Sequence, residues 1–189
     1  MNIIFVRHGE SEHNAKITTE EDSHLSNLGK KQAEHLGKRL KNYNISTIYT
    51  SNLKRAKETG EIISRILKVP IKENLEELNE FSGSQLKSPL RFLNLSFNKR
   101  VKNLKNFLDR VSRERKEDKT ILIVAHGITN KIIMGYLSQL PLKRQLLRFS
   151  QHNACINILS WKEEYKNWNI NFVNNIEHLP KKLRKEIQR

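Results

Sequence analysis

The feature of this 189-residue sequence that most constrains its fold is an alternation of short apolar segments with helical patterns. The clearest apolar segment is Thr120–Ala125, which reads TILIVA and is typical of a strand buried on both faces. Residues 2–6 and 46–50 form similar segments. Such alternation predicts an α/β fold. We expect a three-layer α/β/α sandwich, with a mostly parallel sheet, helices on both faces and a small cap insertion.

Helical patterns follow each of these segments, because apolar residues recur there at three- and four-residue steps. The patterns predict a helix that begins after Ser26, and further helices at about 53–67, 98–116 and 128–138. Two later strands are predicted at 154–161 and 168–173.

The stretch 81–97 is the least regular part of the sequence, with Gly83, Pro89 and several serines. It is predicted to be an insertion that lies over another part of the fold. We expect one domain at 1–180, in which about 81–118 form a cap segment and a helix. A basic tail is expected at 181–189.

Composition narrows the classes of protein to consider. No apolar run approaches the roughly 18–20 residues that cross a bilayer, and the first residues lack the pattern of a signal peptide. The single cysteine, Cys155, excludes an internal disulfide framework and a cysteine-rich metal site. We therefore expect a cytoplasmic protein with no membrane partner.

The net charge of +15 admits three interpretations. The basic residues are spread over predicted helix faces, with Lys99 and Arg100 among them, and can simply solvate the surface. They can also attract an anionic substrate or bind nucleic acid nonspecifically. Surface charge alone does not identify a partner, so nonspecific binding of nucleic acid remains an alternative. The sequence does not indicate the oligomeric state.

Two arginines and two histidines follow three predicted strands at the points where the strands end. Arg7 and His8 follow the first strand, Arg55 lies just after the second, and His126 follows the TILIVA strand. In an open α/β sheet, ligands bind beyond the carboxyl ends of the strands. We therefore expect these four side chains to converge on one pocket.

These residue types match a phosphate ligand. Arginine offers a planar fork of donors for phosphate oxygens, and a neutral imidazole can attack phosphorus and hold the phosphoryl group covalently. Neighbouring arginines disfavour imidazolium, which would keep His8 nucleophilic. His126 is expected to stabilise charge in the transition state. No carboxylate cluster suited to magnesium lies near these loops, so we expect neither a metal ion nor another cofactor.

The backbone around the two histidines is expected to take part in binding. Gly9 and Gly127 each follow a histidine, and their missing Cβ atoms would let the backbone approach a ligand. Helix N-termini beside the loops would supply further N–H donors. A leaving oxygen also needs a proton. The acidic run LEELNE at 75–80 contains the candidates, which include Glu77 and Glu80.

Four segments resemble, in the right order, the histidine phosphatase superfamily, also called the phosphoglycerate mutase-like family. They read RHGESEHN at 7–14, LSNLGKKQA at 25–33, SNLKRAKET at 51–59 and VAHG at 124–127. Asn153 and the late Asn175, His178 and Leu179 are similar to the closing pattern of the family. The resemblance covers about residues 2–179.

The resemblance implies that His8 becomes phosphorylated. It implies that Arg7, Arg55 and His126 bind the phosphoryl group together with the side-chain amide of Asn14. Gly127, which follows His126 in the second histidine site, is also expected to bind the substrate.

For the proton donor, the family has a Leu-x-Glu sequence followed four residues later by glycine. Glu77 and Glu80 both fit the first part, and neither has glycine at that offset. Gly83 favours Glu80, because the frame then needs a contraction of only one residue. Glu77 stays the alternative.

The predicted function is a metal-independent phosphatase that hydrolyses a small phosphate monoester through a phosphohistidine on His8. A phosphoglycerate mutase, which uses the same intermediate, is the alternative among enzymes. The mutases of the family carry longer insertions around their substrate, whereas a short irregular segment and one helix separate Glu80 from the TILIVA strand here. A non-catalytic binder of RNA or another anion is the third possibility. Lys87, Arg91 and Lys99 indicate either a substrate with additional negative charge or simple solvation of the surface.

Overall fold

A computed structural model describes residues 1–81, 95–113, 119–140 and 149–184. These residues form one sheet of six strands in the order β3-β2-β4-β1-β5-β6. The strands are β1 (Asn2–Arg7), β2 (Ile45–Ser51), β3 (Ile71–Leu75), β4 (Thr120–Ala125), β5 (Ile156–Lys162) and β6 (Asn167–Asn175). The first four in the spatial order pair in parallel, and β5 runs antiparallel to both of its neighbours. The sheet is therefore mostly parallel, as the sequence predicts.

Helices cover both faces of the sheet, which confirms the three-layer prediction. The described helices are α1 (Asn27–Leu40), α2 (Lys54–Leu67), α3 (Leu95–Arg113) and α4 (Gly127–Leu137). The cores explain this arrangement. In β1, Ile4 and Val6 face the layer of α1 and α2, whereas Ile3 and Phe5 face the layer of α3 and α4. All four of these side chains are fully buried, as expected for a parallel strand covered on both faces.

One strand was not predicted. Strand β3 follows the break at Pro70 and contains Lys72, Glu73 and Asn74, which are poor strand formers. It lies at the edge of the sheet and pairs only with β2 among the described strands. Its side chains alternate between half-buried and exposed, so it lacks the apolar run that marks β1 and β4.

Helix α1 begins later than a direct strand-to-helix turn would allow. Strand β1 and helix α1 are separated by residues 8–26, which form turns and a bridge. Ser26 caps the helix, since its side-chain oxygen accepts a hydrogen bond from the backbone N–H of Gly29. Helix α1 therefore does not follow His8 directly in the chain, as the expectation for the first loop assumed.

The packed chain reaches at least as far as Leu183. This residue is buried in the core beside α1, and its carbonyl oxygen accepts a 2.8 Å hydrogen bond from Gln32 Nε2. Residues 82–94, 114–118, 141–148 and 185–189 lie outside the described residues. Residues 82–94 and 114–118 of the predicted cap segment and helix, and 185–189 of the predicted tail, fall there, so the domain limits stay a prediction. Within the described ranges, no helix has the length and apolar character needed to span a bilayer.

Candidate active site

The carboxyl ends of β1, β2 and β4 open onto a cavity of about 950 Å³. The predicted site residues that line it are Arg7, His8, Asn14, Arg55, Glu77 and Glu80. Parallel pairing places Arg7 of β1 beside Ala125 of β4, so the next residues of the two strands, His8 and His126, become neighbours. Their ring centroids are 5.0 Å apart. The structure thus brings together the residues that the sequence places on three separate loops.

Hydrogen bonds define which nitrogen of His8 faces the cavity. Nδ1 lies 2.6 Å from the carbonyl oxygen of Gly9, which can only accept, so Nδ1 carries the proton. Arg55 Nε donates to His8 Nε2 at 3.2 Å, so Nε2 presents its lone pair. The Nε2 atom is therefore the unprotonated, nucleophilic nitrogen of this ring.

The surroundings of His8 keep its imidazole neutral. The side chain is buried, and burial is the main reason why its pKa lies well below the ordinary value for histidine. His126, Arg7 and Arg55 lower this pKa further by electrostatic repulsion, and the hydrogen bond to Gly9 opposes them. A neutral His8 is the form that can attack phosphorus.

Backbone carbonyl groups fix the two arginines beside His8. Arg7 Nη1 donates to the Gln151 carbonyl oxygen at 2.6 Å, and Arg55 Nη1 donates to the Glu21 carbonyl oxygen at 2.8 Å. Asp22 lies 3.7 Å from Arg55 Nη1 and adds an ion pair. Arg7 Nε is buried and has no hydrogen-bond partner within the described part of the chain. Buried donors normally have a hydrogen-bond partner, so an unpaired one at a cavity indicates a place for a ligand oxygen.

His126 is fully buried at the start of α4. Its Nε2 lies 2.8 Å from the Ser51 hydroxyl oxygen, whereas its Nδ1 is buried with no partner among residues 1–81, 95–113, 119–140 and 149–184. Burial, together with Arg55 and Arg7, holds the pKa of His126 well below the ordinary value. The ring is therefore neutral before a ligand arrives.

Glu80 occupies the N-terminus of α4. Its carboxylate accepts hydrogen bonds from the backbone N–H groups of Gly127 at 3.1 Å, Ile128 at 3.0 Å and Thr129 at 3.3 Å. The sequence predicted that these N–H groups and Gly127 would bind the substrate. In the structure they bind Glu80 instead, because an anionic side chain satisfies the unpaired donors of a helix start.

Burial raises the pKa of Glu80 above the usual range, despite the opposing effects of Arg7 and of the helix N–H groups. A carboxyl group with a raised pKa can hold a proton for a leaving group. It also lies near the Arg7 guanidinium. A Cβ atom added to Gly127 would lie 3.7 Å from Arg7 Nε and 3.8 Å from Glu80 Oε2.

Glu77, the alternative acid, lies on a 3-10 turn at Glu76–Leu78 and lines the same cavity. Asn14 also lines the cavity, and its side-chain oxygen accepts a 3.4 Å hydrogen bond from Asn153 Nδ2. Asn153 Nδ2 in turn contacts the His8 carbonyl oxygen at 3.2 Å. Asn153 therefore joins the loop of Asn14 to the backbone of His8.

Gly9 has a different role from the predicted one. A Cβ atom at this position would overlap the backbone carbonyl oxygen of Gly29 at the start of α1. The missing side chain thus allows the first loop to pack against α1. The sequence had instead predicted that it lets the backbone approach a ligand.

Three residues of the site were not singled out from the sequence. Ser51 and Asn79 form hydrogen bonds behind His126, and Arg100 of α3 lines the cavity and donates to the carbonyl oxygens of Asn79 and Glu80, each at 3.1 Å. The basic pattern of α3 gave no signal that Arg100 turns inward. Lys99 beside it is exposed. Lys87 and Arg91 lie outside the described residues.

A family model of the histidine phosphatase superfamily (branch 1) matches residues 3–91 and 87–176, which is most of the chain. This chain belongs to the histidine phosphatase superfamily. The resemblance seen in the sequence motifs is thereby confirmed.

Curated relatives in the superfamily include both phosphatases and mutases. The uncharacterized phosphatase PhoE of Bacillus subtilis is 29% identical, and the match covers 89% of this chain and 94% of that protein. A probable phosphoglycerate mutase, GpmB of Escherichia coli, is 25% identical over the full length of both chains. The chain is therefore an enzyme of the class that contains phosphatases and phosphoglycerate mutases.

A solved structure of similar fold is the phosphoserine phosphatase of Entamoeba histolytica in complex with 3-phosphoglyceric acid. It superposes with a TM-score of 0.74 at 21% identity, over 95% of this chain and 99% of that one. This likeness supports the three-layer fold.

Proposed function

We propose that this protein is a metal-independent phosphatase that hydrolyses a small phosphate monoester through a phosphohistidine on His8. One observation carries the proposal. The lone pair of His8 Nε2 meets Arg55 at the cavity, next to two buried polar atoms, Arg7 Nε and His126 Nδ1, that lack partners within the described residues. A phosphoryl group placed there would engage all of these atoms.

Arg7, Arg55 and His126 bind the phosphoryl oxygens, and Asn14 adds its amide from the rim of the cavity. The two guanidinium donors are fixed before the substrate arrives, because backbone carbonyl groups hold both of them. Preorganised donors stabilise the charge of the transition state without further rearrangement.

The reaction then runs in two displacements. His8 Nε2 forms a bond to phosphorus as the ester P–O bond breaks, and Glu80 gives its proton to the leaving oxygen. A water molecule next attacks the phosphohistidine, the N–P bond breaks, and the water proton passes to the Glu80 carboxylate. Inorganic phosphate leaves, and His8 and Glu80 regain their starting states.

Glu80 is preferred to Glu77 as the acid for a structural reason. The N-terminus of α4 fixes its carboxylate beside Arg7, and burial raises its pKa. A group that must give and then retake a proton needs both a fixed position and a shifted pKa.

A phosphatase is preferred to a phosphoglycerate mutase because little chain is available to enclose a second acceptor. Between Glu80 and β4 the chain has only residues 82–94, helix α3 and a short connection. Water is then the acceptor for the phosphoryl group.

Charge neutralisation is assigned to Arg7, Arg55 and His126, and no metal ion is required. Among the described residues, no group of three or more histidine, cysteine, aspartate or glutamate side chains has the geometry to hold one. A cytoplasmic location, with nucleic acid at most a nonspecific partner, completes the proposal.

The test is the variant His8→Ala, assayed with 4-nitrophenyl phosphate. Hydrolysis should vanish, because no other group forms the covalent intermediate. The matched control is His35→Ala, a histidine on α1 away from the cavity, which should retain activity. Binding to nucleic acid should persist in both variants if the net charge of +15 supports any. Activity that survives in His8→Ala would contradict the mechanism.

A further inference from the structure

Ser51, the last residue of β2, lies between His126 and Asn79. Its hydroxyl oxygen is 2.8 Å from His126 Nε2 and 2.7 Å from the side-chain oxygen of Asn79. It also accepts a hydrogen bond from the backbone N–H of Leu53 at 3.2 Å. The hydroxyl group therefore has three neighbours and only one proton to donate.

The chemistry of these groups fixes where the protons lie. The Asn79 oxygen can only accept, so the Ser51 proton points to it. Ser51 then offers a lone pair to His126, and His126 Nε2 must carry the proton of the neutral ring. Nδ1 is left without a proton, and it is the buried atom that has no partner in the described part of the chain.

A phosphoryl oxygen only accepts hydrogen bonds, so an unprotonated Nδ1 would repel it. We infer that Ser51 and Asn79 are positioning residues that hold neutral His126 in its Nε2–H form, so that a tetrahedral oxyanion binds only together with a proton on Nδ1. Binding is then the uptake of one anion and one proton. The inference rests on the proposed function only in placing such an anion beside His8 and His126.

Asn79 is well placed to maintain this arrangement. Its carbonyl oxygen accepts hydrogen bonds from Thr129 Oγ1 of α4 at 2.9 Å and from Arg100 of α3 at 3.1 Å. Its backbone N–H donates to the Glu76 carbonyl oxygen at 2.9 Å. The residue that directs Ser51 is thus fixed from three sides, and it immediately precedes Glu80.

Cationic groups around His126 explain why the proton arrives with the anion and not before. The charged or titratable groups near the ring are Arg7 and His8 after β1, Arg55 on α2, Arg100 on α3, and Glu80 at the start of α4. Burial and the three arginines disfavour a charged ring in the free protein. The negative charge of an entering dianion favours protonation of the His126 ring. The imidazolium that forms can donate a hydrogen bond from each of its two nitrogens.

The test is nitrogen-15 NMR of the histidine rings in labelled protein, with sulfate as the probe. Sulfate carries no proton near neutral pH and is not hydrolysed, so the result does not depend on phosphatase activity. The signals of His126 are assigned by their loss in His126→Gln. The free protein should show His126 protonated at Nε2 alone, and saturating sulfate should protonate both nitrogens.

Variants separate positioning from mere packing. Ser51→Ala and Asn79→Ala should let the free ring adopt the Nδ1–H form, because Nε2 has lost its fixed acceptor. Ser51→Thr, which keeps the hydroxyl group, should restore the Nε2–H form. Ser46→Ala is the matched control, since Ser46 lies at the other end of β2, where its hydroxyl group donates to the Thr120 carbonyl oxygen.

The affinity for sulfate supplies a second measurement. Above the pKa of His126, the dissociation constant should rise about tenfold per pH unit, as expected for uptake of one proton. The measurement is made in Glu80→Gln, so that Glu80 cannot contribute a proton, and the slope should flatten when Ser51→Ala is added.

Two results would overturn the inference, and both are measured on the protein in which Ser51 and Asn79 are unchanged. One is a free His126 protonated at Nδ1, and the other is an Nδ1 that stays unprotonated in the sulfate complex. Loss of hydrolysis in His8→Ala tests the proposed function separately, so that a failure of either proposal can be recognised.

Discussion

The two sides of the cavity are built in different ways. The floor consists of Arg7, His8 and Arg55, which line the cavity, and of His126, which is fully buried beside His8. These residues stand at the ends of parallel strands or in the first turn of the next helix. The acid wall, residues 79–81, follows a 3-10 turn and has no strand of its own. The pairing of β1 with β4 and of β4 with β2 positions the floor, whereas side chains from other elements position the wall.

Those other elements are α3 and α4. Arg100 of α3 binds the carbonyl oxygens of Asn79 and Glu80, and its guanidinium carbon lies 4.3 Å from the ring centroid of Phe81. The N-terminus of α4 binds the Glu80 carboxylate. The comparison teaches that, in the proposed mechanism, binding of phosphate and supply of a proton depend on separate structural supports. Substitutions can therefore affect them separately.

The largest effect is expected at the floor. In Arg55→Met, the ring of His8 loses its N–H partner and the phosphoryl group loses a fixed donor. We expect kcat/KM for 4-nitrophenyl phosphate to fall about 100- to 1,000-fold. The fold should persist, because methionine keeps most of the apolar stem. The far-ultraviolet circular dichroism spectrum checks this. A loss smaller than tenfold would remove Arg55 from the floor.

A smaller and more selective effect is expected at the acid wall. Glu80→Gln keeps the shape of the side chain and removes the proton. We expect kcat/KM for phenyl phosphate to fall about 100-fold. The loss should be smaller for 4-nitrophenyl phosphate, whose better leaving group needs less protonation. Glu77→Gln is the matched variant from the same cavity, and a larger loss there would assign the acid to Glu77.

The pH profile of the same variants sharpens this assignment. Burial raises the pKa of Glu80, so its protonated form, which donates to the leaving group, should persist to a higher pH than for an exposed glutamate. Activity should then decline as the pH rises through that pKa. In kcat at saturating substrate, this declining limb should be absent in Glu80→Gln, whereas the proton that His126 takes up on binding affects KM.

The smallest effect is expected at Arg100, which holds the backbone of the wall through the carbonyl groups of Asn79 and Glu80. Arg100→Met removes the hydrogen bonds to Asn79 and Glu80. We expect kcat/KM for phenyl phosphate to fall about tenfold, because a displaced acid donates less well. The double variant with Glu80→Gln should show no further loss. Independent losses that multiply would show that Arg100 contacts the substrate itself.

The same contrast explains what the sequence could predict. His8 and His126 each follow an apolar strand, and such strands are recognisable without a structure. Parallel strands end at one edge, so the convergence of the floor followed from the order of elements alone. Helices α1 to α4 and the strands β1, β2, β4, β5 and β6 were predicted for similar reasons of periodicity, to within a few residues at their ends.

The wall could not be predicted in this way, because tertiary contacts place it. The sequence left Glu77 and Glu80 in competition, and only the start of α4 distinguishes them. The Ser51 contact with His126 joins residues 75 positions apart, and no local pattern encodes it. Arg100 resembles its solvated neighbours on a basic helix. Strand β3 forms from poor strand formers because β2 offers an edge for pairing.

The measurement that tests the central claim most directly is the capture of the phosphoryl group on the protein. Glu80→Gln is mixed with excess 4-nitrophenyl phosphate and quenched in alkali, in which phosphohistidine survives, and the peptides are analysed by mass spectrometry. Because this substrate needs little help to leave while water needs the Glu80 carboxylate, the intermediate should accumulate. We predict one phosphoryl group, on His8. Release of nitrophenol with no phosphorylated residue, or with the phosphoryl group on a residue other than His8, would contradict the account.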